Sequence, residues 1–263
     1  MKFCYKKISL PLVLLLTMFA ACNKEAPDAE RAMSVVISGY NGGAHPLQMA
    51  IDTTVYDVAV SSGKYIVKPN DLGNFNIAYS YRSNKQRMFT LTDTVTKEIV
   101  YRKELPSDGT KANFNYLFLN GKLVDINPPV ADPVTNKLGF YIYYPASDES
   151  IDISLYRVDG STGQAFRVYL AKGIKPGTWA YVDYMAGENF ATKNMLGNTQ
   201  IHFTKSGNVG QWAFENDESK SVISAFGMFL PAADEKGLVQ PYFITPQTYD
   251  LGHSQLFYYP DRL

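Results

Sequence analysis

Apolar residues in this chain recur at every second position, in short runs cut by turn residues. That period constrains the fold more than any other feature. Ile151-Asp-Ile-Ser-Leu-Tyr-Arg-Val158 shows it plainly. Ser34–Ser38, Val55–Val60, Asn76–Tyr81, Met88–Thr92 and Glu98–Arg102 follow the same habit, as do Leu138–Tyr144, Gln164–Leu170 and Trp179–Tyr184. Successive side chains on a strand point to opposite faces, so such runs build half-buried sheets, and their Val, Ile, Thr, Tyr and Phe suit a pleated surface. Strands at this spacing predict an all-β chain of antiparallel sandwiches. Little helix is expected; Glu218–Phe226 is the best short exception.

Turn chemistry marks the joints. Asn120-Gly121, between Tyr116–Leu119 and Lys122–Val124, takes the positive φ angles of a type I′ turn and predicts a hairpin. Asp125–Lys137 holds three prolines and no apolar period, which reads as a linker. The domain reading is therefore a sandwich over 33–126, a Pro-rich linker over 127–137 and a second sandwich over 138–263; a long loop inside one sandwich is the alternative. Two faint echoes link the halves. Thr92–Val100 matches Val158–Phe166 in format, and Ser62–Pro69 matches Ala171–Trp179.

The N-terminus gives an address. A basic start is followed by the apolar run Leu10–Ala20, eleven residues, too short for the ~20 that cross a bilayer. It has the layout of a secretory signal peptide. Cleavage after an Ala-x-Ala site, with an incidental cysteine, is one reading. The other rests on Ala20-Ala21-Cys22, which resembles the lipobox of bacterial lipoproteins, with Phe19 where that family usually has Leu. The resemblance implies a signal peptide over 1–21, lipid on Cys22 and a polar tether over 22–32. Cys4 would leave with the signal, so the mature chain would have no disulfide and would stand on its core. Together with the strand pattern, these residues resemble the tandem immunoglobulin-like sandwiches of Bacteroidota surface lipoproteins. That implies an outer-membrane protein on the periplasmic or cell-surface face, with the membrane as a partner through Cys22. No catalytic residue comes with it.

Charge and motifs narrow the function. Without Lys2, Lys6 and Lys7 the chain has 22 basic and 25 acidic side chains and no basic patch, which argues against nucleic acid. His45, His202 and His253 are not at metal-ligand spacing, and His202, in Gln200-Ile-His-Phe-Thr204, is expected on a polar face in solvent. No G-x-S-x-G elbow couples a serine to a base. Asp148-Glu149 with Asp152, Asp217-Glu218 and Asp234-Glu235 read as solvated turn acids rather than a glycosidase pair. The expectation is no catalytic residue, no metal and no cofactor.

What remains is aromatic content: 19 Tyr, 15 Phe and 2 Trp. In Trp179-Ala-Tyr-Val-Asp-Tyr184, an inward Ala180 and Val182 would leave Trp179 and Tyr181 flanking Asp183 on the outer face. Flat rings beside a carboxylate form a platform for a sugar ring, and Trp212 is a candidate second plane. Core packing of the same rings is the competing reading, and burial decides between them. The first functional expectation is a non-catalytic envelope protein that binds carbohydrate, an accessory to nutrient import. The second is a structural or adhesive protein contacting other envelope proteins through sheet edges, at a strand beside Ser34–Ser38 or at Leu256–Tyr259.

Overall fold

The computed structural model describes residues 30–82 and 86–256; Cys22, the leader and most of the tether, and Phe257–Tyr259, lie outside the described residues. The chain is all-β, as two sandwiches of two sheets each. In the first half, β1 (Arg31–Gly42), β5 (Asp71–Tyr81), β8 (Lys111–Leu119) and β9 (Lys122–Leu123) form a sheet in the order β5-β1-β8-β9. Against it lie β2 (Leu47–Ile51), β3 (Thr54–Val55), β6 (Met88–Asp93) and β7 (Ile99–Glu104) in the order β3-β2-β6-β7, with β4 (Ile66–Val67) beside β2. Met33, Val35 and Ile37 of β1 point between these sheets onto Met49, Phe89 and Leu91.

The second half repeats the wiring. Its β10 (Asn136–Ile142), β13 (Trp179–Tyr184), β17 (Val239–Pro246) and β18 (Leu251–Gln255) are ordered β13-β10-β17-β18. The facing sheet is β12-β11-β14-β15, built from β11 (Ile151–Val158), β12 (Ala165–Ile174), β14 (Gln200–Lys205) and β15 (Asn208–Trp212), with β16 (Val222–Ser224) beside β14. In each half the first strand is central. It pairs antiparallel with a strand on one side (β5, β13) and parallel with a late strand on the other (β8, β17). The expected sandwiches thus each carry one parallel pair, which the long path between first and late strands permits.

Local chemistry explains where sequence reading and structure agree and part. Asn120 and Gly121 both have positive φ (51° and 76°), and Leu119 pairs with Lys122 across the turn as expected. Val55–Val60 is not one strand. Asp57 accepts the N–H groups of Ala59 and Val60 and caps a short helix, α1 (Val58–Ser61). Glu218–Phe226 is not a helix but a turn leading into β16. A second short α-helix, α2 (Lys193–Gly197), is capped by Thr192.

The two echoes have different meanings. Asp93 and Asp159 build the same turn, each accepting the N–H groups two and three residues on, and each followed by a positive-φ residue (Lys97, Gly163). Yet these turns join β6 to β7 and β11 to β12, which hold different places in the two sheet orders. That echo is turn chemistry repeated. Ser62–Pro69 and Ala171–Trp179, by contrast, both lead into the corresponding strands β5 and β13.

A third apolar cluster joins the halves. Tyr40, Leu117 and Leu119 on the outer face of the first sheet meet Tyr141, Phe243 and Leu256 on the outer face of the β13-β10-β17-β18 sheet, all buried. The Tyr40 and Phe243 rings lie 4.7 Å apart, and the Ser254 hydroxyl donates to Asn74 Oδ1 at 3.0 Å. The chain just before the Pro-rich linker is stitched into this seam through Val124 and Ile126, whereas Val130 within the linker is exposed.

Candidate functional site

β13 takes one of the two facings its sequence left open. Ala180, Val182 and Tyr184 turn to the core, leaving Trp179, Tyr181 and Asp183 outward. The outward rings are not an open platform, however. Trp179 belongs to the seam, edge-on to Tyr141 at 5.3 Å, and its indole N–H donates to the Asp125 carbonyl at 3.0 Å. Tyr181 stacks on Trp179 at 5.6 Å and lies over the bare backbone of Gly139. Asp183 is exposed and paired with Lys137 at 2.6 Å. Three of the four candidate residues therefore share one face, with Trp179 held there by structural contacts. Trp212 is on the other sheet of this half, and the two tryptophans face away from each other across the sandwich.

Trp212 stands in a constellation that sequence reading missed. β14 sends Ile201 and Phe203 to the core and His202 outward, as the alternation requires. His202 is nevertheless only 5% exposed, which corrects the expectation of a solvated imidazole. Tyr156 of β11 lies 4.8 Å from it on one side and Trp212 of β15 lies 5.1 Å away on the other. The Arg167 guanidinium of β12 stacks 4.8 Å over the Tyr156 ring. It also donates to Ser154 Oγ (2.7 Å) and to His202 Nδ1 (3.3 Å). Since a guanidinium can only donate, Nδ1 accepts, and Nε2 carries the proton toward Gln200 Oε1 at 3.1 Å. Burial, with the Arg167 charge, pushes the imidazole pKa down to about 4. The ring is neutral at neutral pH.

Asp152 explains how this face is held in shape. It is a residue of β11 and 3% exposed, not a solvated turn acid. Its carboxylate accepts from Gly173 N, Gly207 N and Ser206 Oγ, at 2.8 to 3.0 Å. Burial pushes its pKa up, but those donors outweigh it and leave it below the usual carboxylate range. One carboxylate thus ties the positive-φ bend of β12 at Gly173 to the β14–β15 turn at Gly207.

The row Tyr156–His202–Trp212 runs along the outer face of the β12-β11-β14-β15 sheet. At its Tyr156 end opens a groove of about 610 Å³ lined by Tyr156, Gln200, Asn198, Thr199 and Ser224. Rings offer flat apolar faces; Gln200, Asn198 and Ser224 offer donors and acceptors beside them. A hydroxyl-rich ligand meets both needs there, beside Arg157, which also lines the groove. A second cleft, of about 630 Å³, opens at the end of the seam among Tyr40, Tyr143, Tyr249, Asp71 and Asp250. Among the described residues, no group of three or more His, Cys, Asp or Glu could hold a metal ion, and no helix is long and apolar enough to cross a membrane.

No family model matches the chain, and no curated protein does. Among solved structures, it is similar to a candidate cell adhesion protein from Bacteroides uniformis at 14% identity and TM-score 0.28, covering 88% of this chain and 98% of that one. It is also similar to a family 26 carbohydrate-binding module from Eubacterium rectale solved with maltoheptaose, at 14% identity and TM-score 0.24, over 88% and 99% of the chains. α-Glucan-recognising family 41 modules from streptococcal virulence factors match at 7% and 0.24, over 83% and 96%. With scores this low, none of the three assigns a family or a ligand to the chain.

Proposed function

We propose that this is a non-catalytic binding protein of the cell envelope, lipid-anchored through Cys22 at the outer membrane, of the kind that accompanies nutrient import. Its ligand is a glycan, and the glycan lies on the outer face of the β12-β11-β14-β15 sheet. One observation carries the reading: Tyr156, His202 and Trp212 line up on an outer sheet face, propped by Arg167 and ending in a groove lined with amide and hydroxyl groups. Sugar C–H faces pack on the half-buried rings of Tyr156 and Trp212, with His202 buried between them as support, while hydroxyls bond to Gln200, Asn198 and Ser224. The Asp152 carboxylate on this face is taken up by Gly173, Ser206 and Gly207, and the bonds shown by His202 and by the Ser154 hydroxyl run to Arg167 and Gln200, an arrangement that suits holding a ligand.

Affinity electrophoresis of the chain from Asn23 onward, through gels containing a panel of polysaccharides, tests this directly. Retardation by one glycan is expected, with Trp212→Ala weakening it about tenfold or more, the scale of a ring at the centre of a binding face. Trp179→Phe, on the opposite face, should bind like the parent. No retardation on a broad panel, or equal retardation with folded Trp212→Ala, would sink the assignment.

A further inference from the structure

Among the described residues most sheet edges are short, charged or bulged; the uncharged edges β15 and β18 have five residues each. β3 and β9 have two residues each. β7 carries Arg102, Lys103 and Glu104. β12 is interrupted by two register shifts and carries Arg167 and Lys172. β13 is six residues long and presents Asp183 against Lys137. Short, charged or bulged edges discourage pairing with a further chain. β5 does none of this. It runs eleven residues with an unbroken register, has no proline, and from Leu72 to Tyr81 has no charge.

The register also shows which backbone groups of β5 are free. Ser34 N–H donates to the Thr110 carbonyl, so Ser34, Val36 and Ser38 aim their backbone groups at β8. Val35, Ile37 and Gly39 then aim theirs at β5, engaging Ile77, Phe75 and Gly73. The alternate residues of β5, Asn74, Asn76, Ala78 and Ser80, turn their N–H and C=O groups away from the sheet. Their side chains are exposed on the outer face, and among the described residues β1 is the one strand paired with β5. Ser34–Ser38 itself is paired on both sides; its neighbour holds the open edge.

We propose that this edge docks a second copy of the same chain, the two β5 strands pairing antiparallel about a two-fold axis at Asn76. That centre aligns the whole strand, with Asp71 opposite Tyr81 of the other copy, Asn74 opposite Ala78, and Asn76 opposite itself. No like charges face each other. Just past the strand Arg82 pairs with Glu30 of its own chain at 3.3 Å, and Asp71 of the other copy comes beside that pair's guanidinium, twice over. A two-fold contact of this kind is closed, so it yields a dimer and not a fibre. The two four-stranded sheets join into one of eight, with main-chain bonds supplying the attraction. This inference is independent of the glycan reading.

Sedimentation of the chain from Asn23 onward, which retains every strand, is the test. The parent is expected to move from single to doubled mass as concentration rises. Ala78→Pro removes an N–H that points away from β1, so it should keep the parent's unfolding midpoint and lose the dimer. Asn76→Lys and Asn76→Asp place like charges on the axis; each alone should sediment as a monomer, and the two mixed should sediment as a dimer. A parent that stays monomeric throughout, a dimer that survives Ala78→Pro, or charge variants that fail to restore each other, would overturn the proposal.

Discussion

Gly39 of β1 and Gly139 of β10 occupy corresponding central strands, and each has a tyrosine ring laid over its bare backbone. In the first half the ring is Tyr116 of the parallel neighbour β8, inside the core and 1% exposed. In the second half the ring is Tyr181 of the antiparallel neighbour β13, on the outer face. The wiring is shared, but the face to which the glycine opens is not. A ring sealed between two sheets is fixed by everything around it; a ring on an outer face can give way. The same device therefore bears on stability in one half and on the seam and surface in the other.

Gly39→Ala should show the contrast at its greatest. The added Cβ would sit 2.2 Å from the Tyr116 carbonyl oxygen and 2.5 Å from its ring, so β1 and β8 would have to separate. A loss of about 3 kcal/mol or more is expected, at the upper end of overpacking costs, read from the denaturant midpoint. Gly139→Ala meets only the Tyr181 side chain, at 2.4 Å. That ring can lift outward, and the expected loss is about 1 kcal/mol. Equal losses at the two sites would show that the outer ring is as tightly held as the inner one.

The same division governs what the sequence made legible. Features decided by neighbours in sequence were readable: the Asn120-Gly121 turn and the spans of β11 and β13; the facing of Trp179 and Tyr181, which the alternation left open, was not. α1 was hidden because one capping residue, Asp57, outweighed the strand pattern of Val55–Val60. Glu218–Phe226 had helix-like composition, but pairing of β16 with β14 claimed its middle. Alternation placed His202 outward and could not say that Tyr156, Arg167 and Trp212, from three other strands, would cover it. An arginine and aromatics at outward positions of neighbouring strands were the available signal, usable only once strand order is known. The same ignorance of strand order left the two tryptophans as candidate partners, although they lie on opposite faces.

His202 allows a gentler probe of an outer-face ring, by pH. Its folded-state pKa, about 4, lies below the ordinary 6.5, so the unfolded chain binds the extra proton first. The resulting stability is fully present above pH 6.5 and is lost as pH falls toward 4. Asp93, Asp152 and Asp159, all held below the usual carboxylate range, act mainly at lower pH. His202→Gln should flatten the stability profile between pH 6.5 and 4. An unchanged slope would mean that the ring is more open to water than its cover of Tyr156, Trp212 and Arg167 implies.

The smallest expected effect concerns the two hydroxyls. Tyr116 Oη and Tyr181 Oη are both buried and have no hydrogen-bond partner among the described residues. Burial raises both pKa values, that of Tyr181 to about 12. A buried hydroxyl without a partner gives nothing back for its lost hydration, so removing it should not destabilise. Tyr116→Phe and Tyr181→Phe are each expected to leave stability within about 0.5 kcal/mol of the parent or to raise it slightly. A clear loss at Tyr181 alone would mean that its hydroxyl meets water or a chain segment on the outer face. The inner and outer rings would then differ in their polar contacts as well as in their freedom to move.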